Sequence, residues 1–164
     1  MKKLLCILIC ILLFAGCEKT KEAENEISDF YGFRADVKTV VNDISISAKS
    51  EFTENEKLVL TVVSPESIEG MKISIEDEEC EIEFNSLSFF IPLKSMPPDS
   101  LCVCLNACVK SVKTAEFLTD HYSYSYNGYT YNLYVDEMNH FNKITVNENE
   151  ILTFENFEYI YGTD

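Results

Sequence analysis

From residue 33 onward the chain alternates between apolar and polar side chains. Phe33, Ala35 and Val37 are interleaved with Arg34, Asp36 and Lys38, and Ile44, Ile46 and Ala48 with Ser45 and Ser47. Leu58, Leu60 and Val62 follow, then Met71, Ile73 and Ile75, then Cys80, Ile82 and Phe84. A period of two puts successive side chains on opposite faces of a strand, so the pattern predicts half-buried antiparallel strands. Polar stretches separate them at 53–56 (TENE), 64–70 (SPESIEG) and 76–79 (EDEE). The last predicts a hairpin turn whose outer face carries Glu76, Glu81 and Glu83. Like charges there cost stability and discourage edge pairing.

Another apolar run, LSFFIPL, occupies 87–93, and KSMPPDSL then breaks the sheet. The period changes to that of a helix at about 99–112. Asp99 or Ser100 is placed to cap it, and Leu101, Cys104, Leu105, Cys108 and Val112 form its apolar stripe. A short turn is expected at 65–69, after Pro65. Strands resume in HYSYSYNGYTYNLYV, where Tyr122, Tyr124 and Tyr126 alternate into Asn127-Gly128 and Tyr129, Tyr131, Leu133 and Val135 alternate out. Asn-Gly supplies the positive φ angles of a two-residue hairpin. Two further strands are predicted around 143–146 and 151–159. The expected fold is mainly β, of the α+β kind: roughly nine or ten antiparallel strands in a curved sheet or half-barrel, with one main helix against the concave face.

The N-terminus has a different character. Lys2 and Lys3 precede an unbroken apolar run from Leu4 to Ala15, which ends at Gly16-Cys17 and gives way to EKTKEAENEISD. A basic head, a short apolar stretch and small residues before a cut define an export signal. The run is too short to span a bilayer, which takes about 18 or more apolar residues. The segment FAGC resembles the lipobox of bacterial lipoproteins. That resemblance implies cleavage before Cys17 and attachment of a diacylglycerol, with fatty acyl chains such as palmitate, to its thiol. An ordinary signal peptide ending in a cysteine is the competing reading. Residues 1–16 are thus expected to be a signal peptide, 17–29 a lipidated cysteine and polar tether, and 30–164 one β domain. The chain is expected on the extracytoplasmic face of the cell membrane, held by its lipid.

Removal of residues 1–16 from the 164 leaves 148, enough for one domain with its own core. It takes away Lys2 and Lys3, leaving 11 basic residues against 28 acidic and a net charge of −17. Such a field repels phosphate backbones and argues against nucleic acid as a partner. Cys80, Cys102, Cys104 and Cys108 would remain beside Cys17. The set Cys102, Cys104, Cys108 has no histidine near it and lacks the spacing of a zinc site, so buried thiols are expected and no metal or cofactor. Whether the four form disulfides stays open.

The order of lipobox, antiparallel meander, Pro65-to-Gly70 break, helix and further strands, with the pieces FRADV and SPESIEG, resembles the LolA/LolB/LppX-like lipoproteins. Among clostridial chains it is similar to germination lipoproteins of the GerS type. The resemblance implies a curved antiparallel half-barrel with helix laid into its open side.

Catalysis finds no support in the residues. His121 and His140 belong to no nucleophile motif or metal-ligand pair, and no glycine-rich phosphate loop exists. The chain is read as a non-enzyme. Tyr122, Tyr124, Tyr126, Tyr129 and Tyr131 are the candidate binding residues, since tyrosine joins a flat apolar face to a polar tip. The competing reading is cross-strand packing. Two functions follow: a membrane-anchored, non-catalytic binding or scaffold protein for another envelope protein, or a carrier of a lipid or other hydrophobic ligand in the concave face.

Overall fold

The computed structural model describes residues 32–53, 56–112, 116–126 and 128–161. The signal segment, Cys17, the tether and Asn127 lie outside them.

The alternating segments form an antiparallel sheet of eleven strands. In chain order they are β1 (Gly32–Val41), β2 (Ile44–Phe52), β3 (Leu58–Ser64), β4 (Lys72–Glu76), β5 (Glu79–Phe84), β6 (Leu87–Pro92), β7 (Glu116–Phe117), β8 (His121–Tyr126), β9 (Tyr129–Val135), β10 (Phe141–Val146) and β11 (Asn149–Ile160). One helix, α1 (Leu101–Ser111), stands between β6 and β7. The spatial order is β6-β5-β4-β3-β2-β1-β11-β10-β9-β8-β7. Two meanders are therefore zipped together along β1 and β11, and among the described residues β6 and β7 are the free edges. The two-residue β7 has too few residues to show a period and was not predicted from the pattern.

Tight turns make the meanders. Asn42-Asp43, Asp77-Glu78, Asn85-Ser86 and Asn147-Glu148 all have both residues at positive φ. This is the hairpin geometry whose twist matches that of the flanking strands, and Asn and Asp tolerate it better than other side chains. Gly128, at φ 80°, occupies the second turn position between the paired Tyr126 and Tyr129. The break at 64–70 contains a short 3-10 turn, Glu66–Ile68, after Pro65.

One face of the sheet is buried along most of its width. Phe33, Ala35 and Val37 of β1, Ala48 and Phe52 of β2, Leu58 and Leu60 of β3 and Leu152 and Phe154 of β11 all point into it. Bulges interrupt β1–β11, β2–β3, β9–β10 and β10–β11. Bulges bend strands, and here they accompany the curvature of the open sheet. At β1–β11 Arg34 pairs with Glu158 and Asp36 with Glu155, so Ala35 faces two residues. Asn156 takes φ 49° in this bulge, and its amide donates to the Asp36 carboxylate at 2.7 Å. The extra residue returns Phe157 and Tyr159 to the face already occupied by Phe154. An aromatic cluster results: Phe33 lies 5.2 Å from Phe157 and 5.3 Å from Phe141, and Phe141 lies 4.8 Å from Phe157, between ring centres.

Helix α1 lies in the concave face. Cys102, Cys104, Leu105, Ala107, Cys108 and Val109 are buried in the same core as the sheet residues, as is Val112 just past the last turn. Leu101, expected in the buried stripe, is half-buried at the helix start. Ser100 is the N-cap residue, but its side chain makes no capping hydrogen bond. The helix packs on β8, β9, β10 and β11. At its first turn Cys102 meets Cys80 of β5, with 3.7 Å between the sulfurs. The sheet thus curls around the helix from both sides and stays open between β6 and β7.

The acidic hairpin is less repulsive than the sequence predicts. Lys72 faces Glu83, Ser74 faces Glu81, and Lys57 reaches Glu76 at 3.3 Å. Glu76 does sit opposite another acid, Glu79.

Candidate functional site: the tyrosine hairpin and the helix edge

The β8–β9 register aligns the candidate tyrosines. Tyr126 faces Tyr129, Tyr124 faces Tyr131 and Tyr122 faces Leu133, all on the concave side. Burial rises steadily away from the turn. Tyr126 is 46% exposed, Tyr124 and Tyr129 are half-buried, and Tyr131 and Tyr122 are 1% and 2% exposed. Two parts of the ladder therefore do different things. Tyr122 packs on Phe117 at 4.8 Å, and Tyr131 donates its hydroxyl hydrogen to the Pro98 carbonyl at 3.1 Å. These two are core residues, and burial pushes the Tyr131 phenol up to about 12. Tyr124 and Tyr126 stack at 6.3 Å with planes 12° apart, beside the helix.

A cleft follows that stack. Val103, Asn106 and Ala107 of α1 form one wall, Tyr124 and Tyr126 the other, and Glu78, Leu93 and Lys94 the far end; it holds about 90 Å³. Ligand pockets for drug-sized molecules run to roughly 300–1,000 Å³. The cleft accommodates a side chain rather than an acyl chain. A broader depression of about 470 Å³ lies on the convex face, lined by Arg34, Asp36, Lys49, Glu51, Thr61, Asn156 and Glu158. It is shallow and charged, and Arg34, the chain's single arginine, is paired there with Glu51 at 2.9 Å.

The two histidines contact carboxylates and aromatic rings. His121 Nδ1 is 2.8 Å from Asp120 and its ring packs on Tyr134; His140 lies 3.5 Å from Asp136 and against Phe157. The four described cysteines are buried, as the sequence predicts. Burial, with a smaller contribution from Asp99, pushes the Cys104 thiol up to about 12, and burial holds Cys108 well above its ordinary value. A protonated thiol is neither a nucleophile nor a metal ligand. Among the described residues no group of three His, Cys, Asp or Glu side chains is arranged to hold a metal ion.

Sequence reasoning missed the exposure of β6. Leu87, Phe89 and Phe90 are 60%, 55% and 67% exposed on this free edge. The signal was present in LSFFIPL, where Phe89 and Phe90 are adjacent and so cannot both face inward.

The site belongs to an open antiparallel half-barrel with α1 in its mouth. An uncharacterized conserved protein from Thermus thermophilus has a similar fold, with a TM-score of 0.51, 11% identity and 84% of each chain covered. A LolA superfamily protein from Nitrosomonas europaea matches with a TM-score of 0.42, 12% identity and coverage of 83% of this chain and 88% of that one. No family model and no curated protein matches the sequence.

Proposed function

We propose that this chain is an envelope lipoprotein, tethered through Cys17, that acts as a non-catalytic binding protein for another envelope protein. The contact surface is the outer end of the tyrosine hairpin, Tyr124, Tyr126 and Tyr129, together with the adjoining edge of α1. One observation carries the choice over a carrier: among the described residues, the concave face beneath α1 is filled. Cys104, Leu105 and Cys108 are at most 2% exposed against the sheet, and the cleft beside them holds only about 90 Å³. A lipid carrier needs an unfilled apolar interior of several hundred Å³. A half-exposed aromatic pair on a hairpin next to a helix suits a protein contact, where tyrosine supplies area with few rotatable bonds. The likeness to LolA-type and GerS-type lipoproteins read from the sequence agrees with an anchored, non-enzymatic role.

The alternative, a hydrophobic ligand under the helix, draws support from the apolar lining of the cleft by Val103, Ala107, Leu93 and Tyr124. It requires α1 to lift. The two readings separate in one experiment. Membranes carrying the full-length chain are cross-linked and solubilised, and the complex is compared with that of the Tyr126→Ser, Tyr129→Ser double variant. Loss of the cross-linked protein with an unchanged melting temperature supports the contact surface. Unchanged cross-linking overturns it. Stoichiometric lipid co-purifying with the parent favours the carrier.

A further inference from the structure

Cys80 and Cys102 are 22 positions apart in sequence and belong to elements that face each other across the mouth of the half-barrel. Their sulfurs are 3.7 Å apart and both residues are buried. A disulfide holds its sulfurs at about 2.05 Å, so closure takes an approach of less than about 2 Å. The other thiols are placed differently. Cys104 donates to the Pro98 carbonyl at 3.6 Å. Cys108 is one turn further along the same helix, where Cβ atoms stand about 5–6 Å apart, beyond the roughly 3.5–4.5 Å of a disulfide.

We propose that Cys80 and Cys102 form a disulfide that staples the start of α1 to β5 whenever the chain meets a small-molecule disulfide. The bond is placed where it has mechanical effect. Helix α1 packs on β8 to β11, the C-terminal half of the sheet, whereas β5 belongs to the N-terminal half. The staple joins the halves across the open mouth and fixes the cleft beside Tyr124.

The chemistry is two exchange steps. Cys102, the less buried of the two at 7% exposure, gives up its proton where it meets the small disulfide, and its thiolate attacks. It forms a mixed disulfide and releases one small thiol. Cys80 then gives up its proton, and its sulfur attacks the Cys102 sulfur beside it. That step breaks the mixed disulfide, forms the Cys80–Cys102 bond and releases a second small thiol with the second proton. Two protein thiols are oxidised and one small disulfide is reduced. Nothing in this depends on the lipid anchor or on the partner proposed above.

The test uses the full-length chain in detergent, reduced and then exposed to oxidised glutathione, both folded and during refolding from urea. Free thiols are alkylated and the digest is mapped by mass spectrometry. The expected result is protection of Cys80 and Cys102 alone, a peptide cross-linking them, and a higher melting temperature for the oxidised form. Cys80→Ala removes the cross-link and the oxidant-dependent shift, while Cys104→Ala keeps both. Four alkylatable thiols in the domain after refolding with oxidant overturn the proposal. So does a cross-link through Cys104 or Cys108, or a shift that survives Cys80→Ala.

Discussion

Tyr131 of β9 is hydrogen-bonded through its hydroxyl to the carbonyl of Pro98, at 3.1 Å, in the segment that leads into α1. The Cys104 thiol donates to the same carbonyl from within the helix. The proline break, the helix and the hairpin are thus fastened at one oxygen. Tyr131→Phe keeps the ring and removes the donor, and it should cost about 0.5–1.5 kcal/mol in urea unfolding.

The same phenol has a pH signature. Its folded value, raised by burial to about 12, lies above the ordinary 10.0 of a tyrosine. The unfolded chain therefore releases this proton first as pH rises. Its stabilising contribution is complete below about pH 10 and is lost as pH rises toward 12. Tyr122 and Tyr159 are raised by burial too and contribute in the same direction. The expected result is a parent that loses stability between pH 10 and 12 and a Tyr131→Phe variant that loses less. Equal slopes would show that the phenol is not the group responsible.

Leu105 is completely buried where the helix meets the sheet. Leu105→Ala removes its methyl groups and leaves a hole that neighbouring rings cannot fill without moving. A loss of roughly 2–5 kcal/mol is expected from chemical denaturation. A loss below about 1 kcal/mol would mean that the helix is not held in the mouth of the sheet.

Much of this architecture was legible in the sequence because burial and local chemistry agree. The period of two in Phe33 to Val37 and the turn at Asn127-Gly128 report strands and a hairpin directly, and the stripe Cys104, Leu105, Cys108 reports the helix. The β1–β11 pairing joins residues more than a hundred positions apart, and no local pattern encodes it. The bulge at Asn156 was equally hidden, since FENFEY gives Phe154 and Phe157 opposite faces on a regular strand. The tyrosine ladder was legible as a ladder. Its division into buried Tyr122 and Tyr131 and more open Tyr124, Tyr126 and Tyr129 depends on what packs against each ring, Phe117 on Tyr122 and the Pro98 segment on Tyr131, which the strand pattern does not contain.

That bulge gives a sharp substitution. Asn156 sits at φ 49°, where a β-branched side chain clashes with its own backbone. Asn156→Val should cost about 1–2 kcal/mol from this strain alone, plus the lost bond to Asp36. Asn156→Gly relieves the strain and loses only the bond. A melting temperature lower for Val than for Gly checks the point, and the reverse order would place the residue in ordinary strand geometry.

The tether is tested separately from the domain. If Cys17 carries the lipid, Cys17→Ser is neither acylated nor cut in the usual way. The variant should leave the detergent phase in a two-phase partition or keep its uncleaved mass, with the melting transition of the domain unchanged. Identical partition and migration of parent and variant would remove the anchor from the account.

Strand β6 is a free edge of the sheet. Among the described residues its backbone is unpaired on one side, and Phe89 and Phe90 are exposed on its two faces. An apolar edge strand offers a template on which other chains can add, and proteins commonly blunt such edges with charge, lysine above all. The register supplies a place for one. Phe90 stands directly opposite Glu81 of β5, so Phe90→Lys sets a cation across from a carboxylate, a favourable cross-strand pair. Because Phe90 is 67% exposed, little packing is lost. The expected outcome is a melting temperature within a few degrees of the parent and a marked drop in concentration-dependent light scattering. Scattering that does not change would show that β6 is not where the molecules meet, and a collapse in melting temperature would show that Phe90 packs more tightly than its exposure indicates.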